Sequence, residues 1–514
     1  MSSKKQAIVK TKSGKIEGGF EDGLYVFKGI PYAAPPVGGL RWMPPQPVKP
    51  WDGVRPAKKF GAIAPQNAMP FPPPGVIFEE QTQDEDCLFL NIWTPGLDDA
   101  RRPVMVWIHG GAFIIGSGTE PVIRGGKLAR RGDIVLVSIN YRLGALGFMN
   151  LKEITGGKIP ATGNEGLLDQ IAALEWVRDN IADFGGNPDN VTVFGFSAGG
   201  MSIGTMLGMP SARGKFHKAL NRSGAANTVG ALSDAVKISE QYIKVFGLSG
   251  KDVDALRALK TQRLLEGQQE LGMRLREAEY RATPFQPVVD GQILPDWPIK
   301  AIRNGSAKNV ILMAGNTLDE MKGMNVGDPR MRNMDEAGMV KRLNSMLPPD
   351  FVPGLIKAYR DALKKRGNTA TPLEILGTIN TDMMFRMPTI HLIEAQRDQG
   401  VPAYNYLFTY KSPAMGGVLG AMHGLDNPFL FGNLDANFSG SGPEVESLAV
   451  KIEDSCVAFA RTGDPSCESI GKWPVYGKKR MTMILDRDCR VEAAPYENER
   501  AAWDKINLLF TKPI

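Results

Sequence analysis

Residues 191–202 read VTVFGFSAGGMS, and the order of residue types in them decides the fold. The run Val191-Thr192-Val193-Phe194 is apolar and β-branched, as a buried strand requires. Gly195-Phe196-Ser197-Ala198-Gly199 follows it, and Gly200 to Leu207 reads as a helix. A serine between strand and helix, with glycines on both sides, predicts a sharp turn that holds the hydroxyl clear of its own backbone. Gly195 and Gly199 let other chain segments approach that turn closely.

Working outward, further short apolar runs appear at Val104–Ile108, Ile134–Ile139, Val310–Ala314 and Ala403–Tyr410. Runs of this length suit strands covered on both faces of a parallel sheet. Between them, Leu167, Ile171, Leu174, Val177 and Ile181 share one face of a helix, which Gly185-Gly186-Asn187-Pro188 stops. Strand and helix in alternation predict an α/β architecture with a mostly parallel sheet. The N-terminal part reads as hairpins with turns at Ser13-Gly14 and Asp22-Gly23. Proline-rich stretches from Ala33 to Pro50 and over 70–74 read as ordered irregular loops, because Trp42, Met69, Phe71, Ile77 and Phe78 are scattered through them. Residues about 230–305 and 321–400 read as helical insertions that decorate the sheet. The methionines at 321, 324, 331, 334 and 339 read as core filling, with a place near the pocket still open.

A serine nucleophile needs a base, an orienting acid and an oxyanion hole. With Ser197 on such a turn, the α/β-hydrolase order of parts applies: glycine-rich loop, serine, acid, histidine. Trp107-Ile108-His109-Gly110-Gly111-Ala112-Phe113 supplies the loop, with Gly111 and Ala112 as backbone donors beside Ala198. The chain has only four histidines, at 109, 217, 391 and 423. His109 lies on the oxyanion loop, His217 at an expected helix start and His391 in the helical run Met387 to Gln396. His423 alone follows both serine and acid in a loop after a strand, so it is the expected base. The acid falls in Gly315-Asn316-Thr317-Leu318-Asp319-Glu320, where the residues alone leave Asp319 and Glu320 both open. Phe113, Ile114 and Phe196 are the expected substrate-lining residues, with Ile115, Phe285 and Met415 as further candidates.

Composition narrows the function class. The net charge is +6 on 514 residues, and the basic runs 364–366 and 478–480 are short and lack interleaved aromatics. Solvated surface is the expectation there, not a nucleic-acid site. No window approaches about 18 consecutive apolar residues, so no membrane span is expected. The four cysteines, at 87, 456, 467 and 489, match no metal framework. The N-terminus lacks an apolar run of signal-peptide length, so reduced thiols and a cytoplasmic location are expected.

The set EDCLFLNIW (Glu85–Trp93), WIHGGAF, NYRLGALGF, GNEGLLDQ, FGGNPDNVTVFG, FSAGG, the acidic loop ending in Asp319-Glu320 and HGLDNPFLFGN closely resembles the type B carboxylesterases. RTGDPS and WPVY fit the same pattern, so the likeness runs from about residue 7 to about 507. Its bacterial para-nitrobenzyl-esterase-like branch is the nearest in flavour, with cholinesterases more distant. The resemblance implies one α/β-hydrolase domain over 1–514, with an N-terminal hairpin region at about 7–30. It implies a triad of Ser197, His423 and Glu320, oxyanion donors Gly111, Ala112 and Ala198, and neither metal nor organic cofactor. A small-molecule ester is the expected partner, met by a monomer or weak homo-oligomer. Four departures stand out. Phe196 replaces the family's glutamate before the serine, Met321 its glycine after the acid, and Asp426 its glutamate after the histidine. Cys87 matches a half-cystine of exported relatives but no cysteine precedes it. Amidase, carbamate hydrolase and lipase chemistry share these parts, although the proline-rich segment 65–84 is no evident amphipathic lid. A non-catalytic adhesion module would require a missing triad member, a signal peptide and an anchor.

Overall fold

The computed structural model describes residues 7–68, 79–277, 283–331, 333–504 and 506. The apolar runs form the middle of an eleven-stranded sheet. From one edge to the other its strands are Arg490–Ala493, Met481–Leu485, Ala403–Phe408, Ile311–Thr317, Lys218–Arg222, Gly186–Phe196, Arg102–Ile108, Val135–Ile139, Phe89–Thr94, Leu24–Pro31 and Gly19–Glu21. Every neighbouring pair from Met481–Leu485 to Val135–Ile139 is parallel, and the outer pairs are antiparallel. The hairpin at Asp22-Gly23 joins the two N-terminal edge strands, with φ of 49° and 83° at its two turn residues.

Alternation along each strand divides the interior into two cores. Val104, Val106 and Ile108 point to one face with Val191, Val193 and Ala219. Met105 and Trp107 point to the other with Phe194, Leu220 and Met313. Both faces are dry, so these strands need apolar residues at every position. The helix Glu165–Asn180 covers the first face, and Pro443–Thr462 packs over the second. A third core gathers Met331 and Met339 with helices of the 321–400 region and Trp503. Two of the methionines thus fill a core, whereas Met324 is exposed.

Two expectations shift. His217 stands not at a helix start but one residue before the strand Lys218–Arg222, and its Nδ1 accepts the Val191 N–H at 3.1 Å. That strand escapes an apolar-run search because it reads Lys-Ala-Leu-Asn-Arg. Of the proline-rich stretches, 33–50 is irregular apart from a short turn at Gly38–Leu40. Trp42 anchors it, 1% exposed, with Nε1 donating to the Ala145 carbonyl at 2.9 Å. The run 70–74, with Met69, Phe71, Ile77 and Phe78, lies outside the described residues. Among the described residues no helix is long and apolar enough to cross a membrane.

Candidate active site

The site sits where parallel strands end, at their carboxyl edge, as is usual for open α/β sheets. Gly186–Phe196 ends at Ser197, Arg102–Ile108 leads into the Gly110-Gly111 turn, and Ile311–Thr317 leads to Glu320. His423 lies on the chain that leaves Ala403–Phe408.

Ser197 has φ 54° and ψ −123°, a strained conformation that L-residues rarely adopt. Its N–H donates to the Arg222 carbonyl at 2.9 Å, and the helix Ala198–Met206 starts directly after it. The strain is held in place by close packing. A Cβ on Gly195 would stand 2.7 Å from the Gly199 carbonyl carbon, so only glycine fits there. The loop at Gly110-Gly111 packs closely too, since a Cβ on Gly110 would lie 3.1 Å from that of Ser197.

Gly111, Ala112 and Phe113 have consecutive positive φ of 111°, 53° and 64°. The Gly111 carbonyl takes hydrogen bonds from Ile114 and Ile115, each at 3.0 Å, which fixes the turn. No acceptor among the described residues takes the N–H of Gly111, Ala112 or Ala198. Their hydrogen-bonding capacity is therefore unused within the described residues.

His423 Nδ1 contacts Glu320 Oε2, which orients the imidazole and leaves Nε2 free of that contact. Glu320 is fully buried. Its second oxygen accepts the Ser223 hydroxyl at 2.5 Å and the Thr317 N–H at 2.7 Å. Asp319, one residue earlier, faces elsewhere: its carboxylate accepts the Ala421 N–H at 2.9 Å, and its own N–H donates to the Ala421 carbonyl at 3.0 Å. The two acids thus have different partners: Glu320 meets the imidazole and Asp319 ties down the histidine's loop. Among the described residues Ser197 Oγ has no hydrogen-bond partner; such contacts often tighten only when substrate binds.

Two rings grip the imidazole. Phe196 lies against His423 with centroids 4.5 Å apart, and Phe385 at 4.9 Å. Phe385 belongs to a π-helical turn, Asp382–Arg386. Such turns insert an extra residue and recur at functional sites. The turn is braced from below: Asp382 accepts the Tyr359 hydroxyl and pairs with Arg386 at 2.7 Å. The Trp503 indole N–H donates to the Tyr359 oxygen at 2.7 Å.

Among the described residues the other three histidines make no hydrogen bond to Ser197 or Glu320. His109 is buried and stacked on Tyr141 at 4.3 Å. Burial pushes its pKa down to about 4, and Nδ1 donates to the Gly110 carbonyl at 2.8 Å. Burial also pushes His391 down to about 4.

The expected substrate-lining set divides. Phe196 is partly exposed beside His423, and Ile114 is 37% exposed just past the Gly110-Gly111 turn. Phe113 takes a different place. It is 0% exposed, with its ring 4.9 Å from Phe148, because positive φ at 113 turns the side chain into the core. Phe285 is likewise buried, against Tyr242, and Met415 is 56% exposed. Ser223 and Phe385 were not visible as site residues; the only signal for Ser223 is its position after a strand beside the serine's own.

A family model described as the carboxylesterase family matches residues 5–503. The chain is 37% identical to the para-nitrobenzyl esterase of Bacillus subtilis (strain 168) over 504 residues, covering 96% of this chain and 97% of that protein. It is 35% identical to the phenmedipham hydrolase of Pseudarthrobacter oxydans, covering 95% and 96%. Among solved structures, the Geobacillus stearothermophilus carboxylesterase EST55 at pH 6.2 superposes with a TM-score of 0.86 at 35% identity, over 97% of this chain and 100% of that one.

Proposed function

The chain belongs to the carboxylesterase family and is a carboxylic ester hydrolase of α/β-hydrolase fold; from that premise we propose which residues carry the reaction. Ser197 is the nucleophile, His423 the general base and acid, and Glu320 the carboxylate that orients the imidazole. The observation that carries this reading is the contact of His423 Nδ1 with buried Glu320, beside a serine held at positive φ.

In the first half-reaction His423 Nε2 takes the Ser197 proton while Oγ attacks the ester carbonyl. The N–H groups of Gly111, Ala112 and Ala198 receive the oxyanion. His423 then gives the proton to the departing alcohol, leaving an acyl-serine. Water repeats the sequence and releases the acid. Neutral esters are the preferred class, because Phe196 and Phe385 line the imidazole with rings in place of charge. Phe196 and Ile114 border the substrate.

Ser197→Ala tests the assignment. Removing a triad nucleophile leaves only the oxyanion hole and binding, so turnover of a para-nitrophenyl ester should fall by at least about 1000-fold. Retained turnover would sink it. A second reading, amide or carbamate hydrolysis, draws support from the relative named for phenmedipham. Phenmedipham assayed beside matched ester and amide substrates separates the two.

We read residues 1–514 as one domain, with the hairpin region at about 7–30 and the insertions at about 230–305 and 321–400 as parts of it. A cytoplasmic location fits the thiols at Cys87, Cys456, Cys467 and Cys489, all free. A monomer or weak homo-oligomer is proposed, and light scattering on the purified protein tests it.

A further inference from the structure

We infer that the buried ion pair between Arg222 and Asp426 is a positioning device that joins the nucleophile turn to the loop carrying His423. The inference rests on the triad proposed above. Arg222 is the last residue of its strand and lies in register with Phe196 on one side and Gly315 on the other. Its carbonyl accepts the Ser197 N–H at 2.9 Å. Its guanidinium meets the Asp426 carboxylate at 2.7 Å. Asp426 stands three residues after His423 and also accepts the Tyr406 hydroxyl, at 3.2 Å. One residue thus holds the serine through its backbone and the histidine's loop through its side chain. The next residue, Ser223, holds Glu320.

The loop is pinned at both ends. Asp319 grips Ala421 on one side of His423, and Arg222 grips Asp426 on the other. Between these points, besides Glu320, the rings of Phe196 and Phe385 flank the imidazole among the described residues. Ring contacts are soft against sliding, whereas an ion pair fixes a direction. Stability alone does not call for this pair. Side chains of Arg222 and Asp426 are 3% and 1% exposed, and a buried pair at that depth is commonly matched or bettered by apolar residues of the same volume. What apolar residues cannot supply is a fixed distance between two loops. The neighbouring walls, Leu220, Met313, Ile452, Cys456 and Trp473, offer no other charge to take either partner's place.

The test separates positioning from stability. Arg222→Met leaves Asp426 buried and unpaired, so both Tm and kcat should fall. The double variant R222M/D426N removes both charges and keeps the volumes. Its Tm should return to within a few degrees of the wild type, while kcat stays down by about tenfold or more with KM within about threefold, since a small misplacement of a reacting group costs rate out of proportion. A double variant with recovered Tm and a kcat within about threefold of wild type would overturn the inference. Should that variant not fold, Arg222→Lys decides: the charge remains but the planar fork is lost. A drop in kcat at unchanged KM is then expected, and an unchanged kcat overturns the role. Ser197→Ala in the same assay keeps the two proposals apart. Turnover in Ser197→Ala defeats the triad itself; an inactive Ser197→Ala beside an unimpaired R222M/D426N defeats only the pair.

Discussion

The ring of Phe196 lies against the imidazole of His423, with centroids 4.5 Å apart and planes inclined at 41°. The residue before Ser197 therefore reaches the imidazole proposed as the base. A Cβ on Gly424 would stand 2.9 Å from the Phe196 Cζ, so the glycine after the histidine is what admits the ring. Where the resembling family has a carboxylate before the serine, this chain has an apolar face.

Phe196→Glu brings a negative charge beside the imidazole. Opposite charges within about 4–6 Å stabilise each other, so the acid limb of the kcat/KM profile should move to higher pH. Activity on a neutral ester then falls at mildly acid pH, because more of the base is protonated. The measurement is a pH–rate series on both proteins. A superimposable acid limb would mean that the glutamate turns away.

Ser223→Ala removes one donor from Glu320, leaving Thr317 N–H and His423. A hydrogen bond to a charged group contributes about 1.5–3 kcal/mol, and part of that holds the carboxylate toward the imidazole. We expect kcat to drop by up to about tenfold at constant KM. A raised KM with intact kcat would place Ser223 in substrate binding instead.

His109 gives a pH dependence of stability with a definite sign. Its pKa in the folded protein is pushed down to about 4 by burial, against an ordinary value of 6.5. Above pH 6.5 both states hold it neutral and it costs nothing. As pH falls from there toward 4, the unfolded chain takes the proton first and the folded state loses up to about 3 kcal/mol. His391 adds to the same trend, while Glu120, Glu165 and Glu453, each pushed up to about 7, oppose it. Comparison with His109→Asn isolates the one residue: the variant's Tm should fall less steeply between pH 6.5 and 4. Parallel curves would show that His109 takes its proton without unfolding.

Much of this was legible because chemistry and chain order coincide. Strands buried on both faces announce themselves as apolar runs, and Ser197, Glu320 and His423 follow them in the order the fold demands. The strand Lys218–Arg222 was hidden, since its polar residues are buried with partners that no local pattern reveals. Lys218 meets Asn190, Asn221 donates to the Gly200 carbonyl at 2.6 Å, and Arg222 meets Asp426. Asp319 and Glu320 have the same chemistry, and only the direction of the turn separates their partners. Phe113 reads as pocket lining until positive φ at three consecutive residues turns it inward. Phe385 precedes His423 by 38 residues in a helical region and carries no motif; a π-helical turn brings it to the site.

The bracing of that turn links the surroundings of His423 to a distant part of the chain. Trp503 reaches Tyr359, Tyr359 reaches Asp382, and the turn begun by Asp382 carries Phe385 to His423. Trp503 lies 80 residues beyond His423 in sequence, yet two contacts and one helical turn connect its indole to the ring that flanks the imidazole. A disturbance at Trp503 is therefore felt beside His423, although neither residue touches the other.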